Sequence, residues 1–181
     1  MLAPYVDGVI PSHQYESLGQ AVVGRDLHTL IIGTTIGGFP DGIAPGLFYE
    51  AQVSHAIVEK VLSIRANQSN VDGEVGYFIT PRLAARFVEG FQFTHNGVDF
   101  VGTQPAVLLH GTTLSSRDIF LNHDRLLMTR VLNVGGGVTV GVSNSVDVFF
   151  SAVKSVWGRN VQGDHSFTLG TNWHFRTPAA R

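Results

Sequence analysis

Eight histidines and no cysteine set the range of chemistry open to this chain of 181 residues. Without cysteine there is no disulfide framework, no thiolate zinc site and no thiol nucleophile. The histidines lack the paired spacing of a zinc site, so no metal is expected. Ester or amide hydrolysis by serine requires a histidine within hydrogen-bond reach. Asp164, His165 and Ser166 lie together at a loop-to-strand junction, as do His123 and Asp124. Adjacent strand residues point to opposite faces, which argues against a Ser–His pair there. No catalytic site and no cofactor are expected. Gly135, Gly136, Gly137 and Gly141 resemble a phosphate-cradling loop only superficially, because such a loop must run from a strand into a helix and these lie within one strand-like run. Asn67, Gln68 and Ser69 form a glycosylation sequon that matters only in a eukaryotic secretory route.

The elements that must carry any site are strands. Charged residues make up 14% of the chain, against roughly 25% in an average soluble domain. The formal net charge is −2, which gives no basic surface for nucleic acid. The length suits a single domain, 1–181. No run of 18 apolar residues marks a membrane helix, and the opening MLAPYVDGVIPSHQYESLGQ lacks the charged and greasy regions of a signal peptide.

Apolar residues recur with a period of two. Phe167, Leu169, Thr171, Trp173 and Phe175 alternate with Ser166, Thr168, Gly170, Asn172 and His174. Leu126, Met128, Leu132, Val134, Val138, Val140 and Val142 oppose Thr129, Asn133, Gly135, Gly137, Thr139, Gly141 and Ser143, in an eighteen-residue run long for a soluble strand. Leu83, Ala85, Phe87, Phe91 and Phe93 oppose Arg86, Gly90, Gln92 and Thr94, with Glu89 as the exception. Val71, Val75, Tyr77 and Ile79 oppose Asp72, Glu74 and Gly76, and Leu47, Tyr49, Ala51, Val53 and Ile57 oppose Glu50, Gln52 and Ser54. Residues 25–37 show weaker contrast, 146–160 are extended with an ambiguous face, and 2–10 give the weakest signal.

These patterns predict an all-β, up-and-down antiparallel transmembrane barrel with about eight strands near 2–10, 25–37, 46–59, 63–79, 83–96, 125–143, 146–160 and 165–175, and no helix. Short turns at Thr80–Arg82 and Asn144–Ser145 mark one end. Phe48, Tyr49, Tyr77, Phe78, Phe149, Phe150, Trp173 and Phe175 fall near it, while Phe91, Phe93, Trp157 and Phe167 fall near the longer connections. Tyr49, Tyr77, Phe91, Phe93, Phe149, Phe150, Trp157, Trp173 and Phe175 are the expected aromatic girdle residues.

The opposite face would line the lumen through Glu50, Gln52, Asp72, Glu74, Arg86, Gln92, Asn133, Asn172 and His174. Eight closed strands enclose a space that side chains can fill, so closure on itself predicts a plugged barrel. Segment 97–124 is long enough to be functional: it can plug the mouth, extend the strands or present a surface.

The stretch EKVLSIRANQSNVDGEVGYFITPRL, then QFTHNGVDF, then HDRLLMTRVLNVGGGVTVGVSNSVDVFFSAVKSVWGRN and TLGTNWHF, resembles a family of largely uncharacterised Gram-negative outer-membrane β-barrel proteins, from about Tyr5 to Phe175. The resemblance implies insertion in the outer membrane by the barrel assembly machinery, which reads a closing aromatic residue, and a porin-like transport role. Family members look longer at the N-terminus, with a signal peptide and further strands, and here RTPAAR follows the aromatic residue. The expected partners are the outer-membrane lipid bilayer, the assembly machinery and small solutes. A structural or adhesive barrel acting through its loops is the second reading, and a soluble lipocalin-like ligand-binding barrel is the third. The third requires apolar residues inward and polar ones outward.

Overall fold

The computed structural model describes residues 1–12, 25–40, 42, 44–99, 106–109, 112–161 and 163–173. Eight strands form one antiparallel sheet: β1 (Leu2–Val9), β2 (Thr29–Gly38), β3 (Leu47–Val58), β4 (Gln68–Thr80), β5 (Leu83–Thr94), β8 (Arg130–Gly141), β9 (Val146–Arg159) and β10 (His165–Trp173). Each is hydrogen-bonded to the next in this order, so the sheet is a meander with β1 and β10 at its edges. It is not closed into a barrel. The expected strand order holds, with boundaries trimmed by a few residues.

Cross-strand register keeps the two periodic faces intact from edge to edge. One row runs Ala3, Thr35, Gln52, Asp72, Gly90 and Asn133, and ends on Ser155. The next row on the same face runs Gly37, Glu50, Glu74, Val88, Gly135, Val153 and Ser166. A slip of one residue would exchange the faces, so this regularity is what gives the sheet a polar side and an apolar side.

Two bulges explain what the period alone left ambiguous. Between β8 and β9, Leu132 pairs with Trp157 and Asn133 with Ser155, leaving Val156 as the extra residue. Phe150, Ala152 and Lys154 share the apolar face before the bulge, and Trp157 regains that face after it. An inserted residue reverses the parity of everything beyond it. A similar shift between Phe78 and Thr80 leaves Ile79 unpaired beside the Pro81–Arg82 turn. In β2 the contrast is weak because Ile31 is apolar on the polar face, where it packs against the buried cluster described next.

Residues 97–128 correct the expectation of no helix and of only eight strands. They contain a small hairpin, β6 (Ala106–Leu109) with β7 (Thr112–Ser115), and two short helices, α1 (Ser116–Leu121) and α2 (His123–Leu126). Strand β8 therefore starts at Arg130 rather than near 125. Likewise β4 starts at Gln68 rather than near 63, because 59–67 form a turn in which Val61 and Ile64 bridge and Leu62 and Ser63 take positive φ. Helix α1 opens with a capping box: Ser115 Oγ accepts from the Asp118 N–H, and the Asp118 carboxylate accepts from the Ser115 N–H. The Ser115 hydroxyl, which donates to Asp118 Oδ2 at 2.6 Å, and then the Ser115 N–H hold the Asp118 carboxyl below its ordinary range.

The fully buried core lies at this long-loop end, not along the sheet. Leu114, Ile119 and Leu126 pack with Val98, Leu27, Val61 and Ile64, and with Ala56 and Val58 at the end of β3. Since Ala56 and Val58 belong to the polar face, β7, α1 and α2, with Val98, fold over the mouth of that face as a cap. Arg25 donates to the Arg125 carbonyl at 2.9 Å, and Arg125 donates to the Asp26 carbonyl at 3.3 Å, which ties the cap to the entry of β2. Leu126 has no exposed surface. Leu126→Ala should cost the cap about 2–5 kcal/mol, seen as lost amide-exchange protection in α1 and α2 while the main strands keep theirs.

Candidate functional site

The polar face carries the expected lumen residues. Glu50, Gln52, Asp72, Glu74 and Asn133 line a pocket of about 360 Å³ with Val88 and Val153. Gln92 and Asn133 line a neighbouring pocket of about 310 Å³ with Ser155, Asp164 and Ser166. Arg86 and Asn172 belong to a third, of about 830 Å³, which also includes Met1, Phe39 and Phe48. Met1, just ahead of β1, and Asn172 of β10 both line it, so the curvature of the sheet brings its two edges towards one space at the short-turn end. His174 lies outside the described residues, as does Phe175.

Charge on this face is one-sided. Asp7, Glu50, Asp72, Glu74 and Asp147 stand on it against Arg86. Glu50 and Glu74 are direct cross-strand partners, a like-charge pairing that disfavours the sheet unless a cation lies nearby. Arg86 supplies it: its Nη1 lies 3.2 Å from Glu74 Oε2. The Arg86 guanidinium also sits 5.1 Å from the centre of the Phe149 ring, while its buried Nε has no partner. Ser155 Oγ donates to Asn133 Oδ1 at 2.8 Å, and Gln52 Nε2 donates to the Tyr5 hydroxyl at 2.6 Å.

Below this polar belt lies an aromatic floor that the girdle expectation missed. Phe48 packs on Phe78 and Phe39, with ring centres 5.2 and 6.3 Å apart. Phe48 covers Gly76 and Phe149 covers Gly170, so any side chain at either glycine would collide with the ring. Phe149 was expected in the girdle and instead faces inward, opposite Thr139 and Gly170. Its neighbour Phe150 points outward. Proximity to one end places an aromatic residue in height; parity decides its face.

Among the described residues, nothing covers the apolar face. Tyr49, Tyr77, Phe91, Phe150, Trp157 and Trp173 are all exposed on it, and Phe93 is half-buried there. Leu169 is 76% exposed and Val140 43%. These residues form no dry centre, which is the reverse of a lipocalin-like arrangement. Charged residues also lie on this face: Glu89 and Lys154 on either side of Val134 in one row, and Arg130 paired with Arg159 at the long-loop end. The Glu89 side chain lies over the gap at Gly73.

The Asp164–Ser166 cluster separates as parity requires: His165 pairs with Lys154 on the apolar face and Ser166 with Val153 on the polar one. His123 Nε2 meets Asp124 Oδ1 at 2.9 Å, outside the sheet. A Ser–His contact does form elsewhere. Ser69 Oγ lies 3.0 Å from His55 Nδ1 and 2.9 Å from His95 Nε2. The two histidines are 14 and 26 positions from the serine, and nothing local in the chain joins them. The only available signal was register: Ser69 pairs with His55, and Phe93 pairs with Ser69, one same-face step before His95. Counting from the Pro81–Arg82 turn without the Ile79 bulge would have paired Ser69 with Thr94 instead of Phe93.

Among the described residues, no group of three His, Cys, Asp or Glu side chains is placed to hold a metal. Comparison of the chain with protein-family models, with curated proteins and with solved structures finds no match.

Proposed function

We propose that this chain is an outer-membrane β-barrel protein with a polar, acidic lumen for a small solute. One observation carries the reading: a continuous sheet turns its large apolar and aromatic side chains to the outside, and gathers its carboxylates, amides and glycines into pockets on the other side. Lipid is the solvent for which that inversion is favourable. In water, an exposed apolar surface this broad would drive association.

The sheet edges must be paired in a bilayer, because an unsatisfied backbone N–H or C=O there costs several kcal/mol. In this reading β1 and β10 pair with each other or with further strands of the natural protein. Their approach at the pocket shared by Met1 and Asn172 supports the former at the short-turn end. Outward-facing Tyr49, Tyr77, Phe150 and Trp173 form one aromatic belt, and Phe91, Phe93 and Trp157 the other, while Phe167 stacks on Phe150 with ring centres 6.3 Å apart rather than joining the second belt as expected. Glu89 and Lys154, equal and opposite, leave their row of the outer face without net charge. The cap and the aromatic floor bound the lumen at its two ends, which favours held passage of a solute over an open water-filled pore.

The two tryptophans test the placement because each belongs to a different belt. Protein refolded into bilayers should show Trp157 and Trp173 fluorescence quenched by lipids brominated near the headgroup, more strongly than by lipids brominated at the chain ends. It should also run as a heat-modifiable band. A protein that stays soluble without detergent, with neither tryptophan quenched, overturns the membrane reading.

A further inference from the structure

We propose that Ser69, His95 and His55 form an acyl-ester hydrolase site on the apolar face of the sheet, at its long-loop end. The substrate class is an ester-linked acyl chain of an amphiphile whose headgroup lies at the membrane surface. That class rests on the membrane reading above; the site itself rests on geometry alone.

Strands β3 and β4 set His55 opposite Ser69, and the end of β5 brings His95 to the other side of the same hydroxyl. A serine hydroxyl has one proton, so between two imidazoles it donates to one and accepts from the other. His95 is the better-placed base. Its backbone N–H donates to the Asn67 carbonyl at 2.7 Å, and its ring stands edge-on to Phe93 at 4.7 Å. Asn67 in turn accepts the Val58 N–H on its side-chain oxygen at 3.1 Å, so one residue positions the ends of both neighbouring strands. His55 is exposed and Ser69 half-buried, which leaves the hydroxyl approachable from the apolar side.

The same row continues from Ser69 through Phe93 to Arg130. The Arg130 guanidinium lies 4.3 Å from the centre of the Phe93 ring, and its buried Nε has no partner. It places positive charge two strands from Ser69 on the same row, suited to an anionic headgroup. The height is also appropriate, since Phe91 and Trp157, stacked with ring centres 6.4 Å apart, belong to the belt at this end.

The reaction balances with water alone. Ser69 Oγ attacks the ester carbonyl carbon as its proton passes to His95 Nε2, and the carbonyl π pair moves to oxygen. Collapse breaks the bond to the alcohol oxygen, which leaves with the proton from His95. Water, deprotonated by the same nitrogen, then attacks the acyl-serine and releases the fatty acid, restoring the Ser69 hydroxyl.

The test uses the full chain folded in detergent micelles. A fluorophosphonate probe should label the protein, and p-nitrophenyl butyrate and phosphatidylcholine in mixed micelles should both be cleaved. Ser69→Ala should abolish labelling, and His95→Ala should lower the rate by about 10²–10⁴-fold. Ser166→Ala, on the opposite face, should change neither. Ser69→Cys guards against a folding defect: in a chain with no other cysteine it should lose the fluorophosphonate reaction and gain rapid alkylation by iodoacetamide at neutral pH. Cleavage of the soluble ester without the phospholipid would overturn the lipid substrate while leaving the hydrolytic site standing. Failure to label or cleave in a protein that is heat-modifiable and inserted would overturn the site and leave the membrane reading intact. Equal labelling of wild type and Ser69→Ala would also overturn the site.

Discussion

Arginine introduced at Val53 or Val75 should prevent the protein from folding into bilayers while leaving its synthesis as a soluble chain in urea unaffected. Both side chains lie on the apolar face, Val53 four residues along β3 from Tyr49 and Val75 directly across from Tyr49, at 49% and 50% exposure. On a sheet facing water, an exposed valine exchanged for arginine is a surface change worth within about 0.5 kcal/mol. On a sheet facing lipid, the same change near the bilayer midplane costs about 2–4 kcal/mol. The two environments therefore predict outcomes several kcal/mol apart for one substitution. Arginine at Thr35, which pairs with Ala3 and Gln52 on the polar face, provides the control. It should be tolerated far better there, because it faces carboxylates. The measurement is the folded fraction after dilution from urea into lipid vesicles, read from the heat-modifiable band. Equal tolerance on both faces would refute the assignment of lipid to the apolar side.

The two-faced pattern behind that assignment was legible in the sequence because a period of two survives any error in pairing. The contrast of Val134 and Val140 with Asn133 and Thr139 needed no knowledge of neighbouring strands, and the structure keeps it. What the sequence hid were the places where one residue changes parity. Val156 is a bulge inside its strand and Ile79 one hidden against the Pro81–Arg82 turn, and Phe149 differs from Phe150 only by parity. The residues expected to line a lumen, His174 apart, fall together on the polar face because each sat on the polar side of its own strand, and antiparallel register then aligned them. The Ser69 cluster was not found because its members sit on the apolar side, where polar residues read as exceptions. The helices of the cap were hidden for another reason: α1 spans six residues, shorter than the periodicity needed to recognise it, and rests on one capping box and on the packing of Ile119 with Leu114 and Leu126.

Reversing the charge of Glu50 or Glu74 should shift ion selectivity of the reconstituted protein from cation towards anion, and should do so most strongly once the cap is loosened. The polar face sets Asp7, Glu50, Asp72, Glu74 and Asp147 against Arg86, so a permeating cation meets a negative wall. A unit charge about 5 Å from an ion is worth about 0.8 kcal/mol even at the dielectric constant of bulk water, and reversal doubles the change. Glu74→Lys should therefore alter the cation-to-anion permeability ratio by at least an order of magnitude. It also removes the partner of Arg86 and sets a second cation near it, so Glu50→Lys is the cleaner variant: its ammonium would face Glu74 and relieve the like-charge pairing across β3 and β4. Reversal potentials in a salt gradient across planar bilayers give the ratio directly. With Leu114, Ile119 and Leu126 sealing one mouth and Phe39, Phe48 and Phe78 packed towards the other, wild-type conductance should be small and intermittent. Leu126→Ala should raise the open fraction without changing the selectivity, because it releases the cap and leaves the carboxylates where they are. Bilayers that contain folded protein and pass no current with either the wild-type or the loosened cap would exclude solute passage by this chain. A current whose selectivity ignores Glu50→Lys would place the ion path outside the acidic pocket.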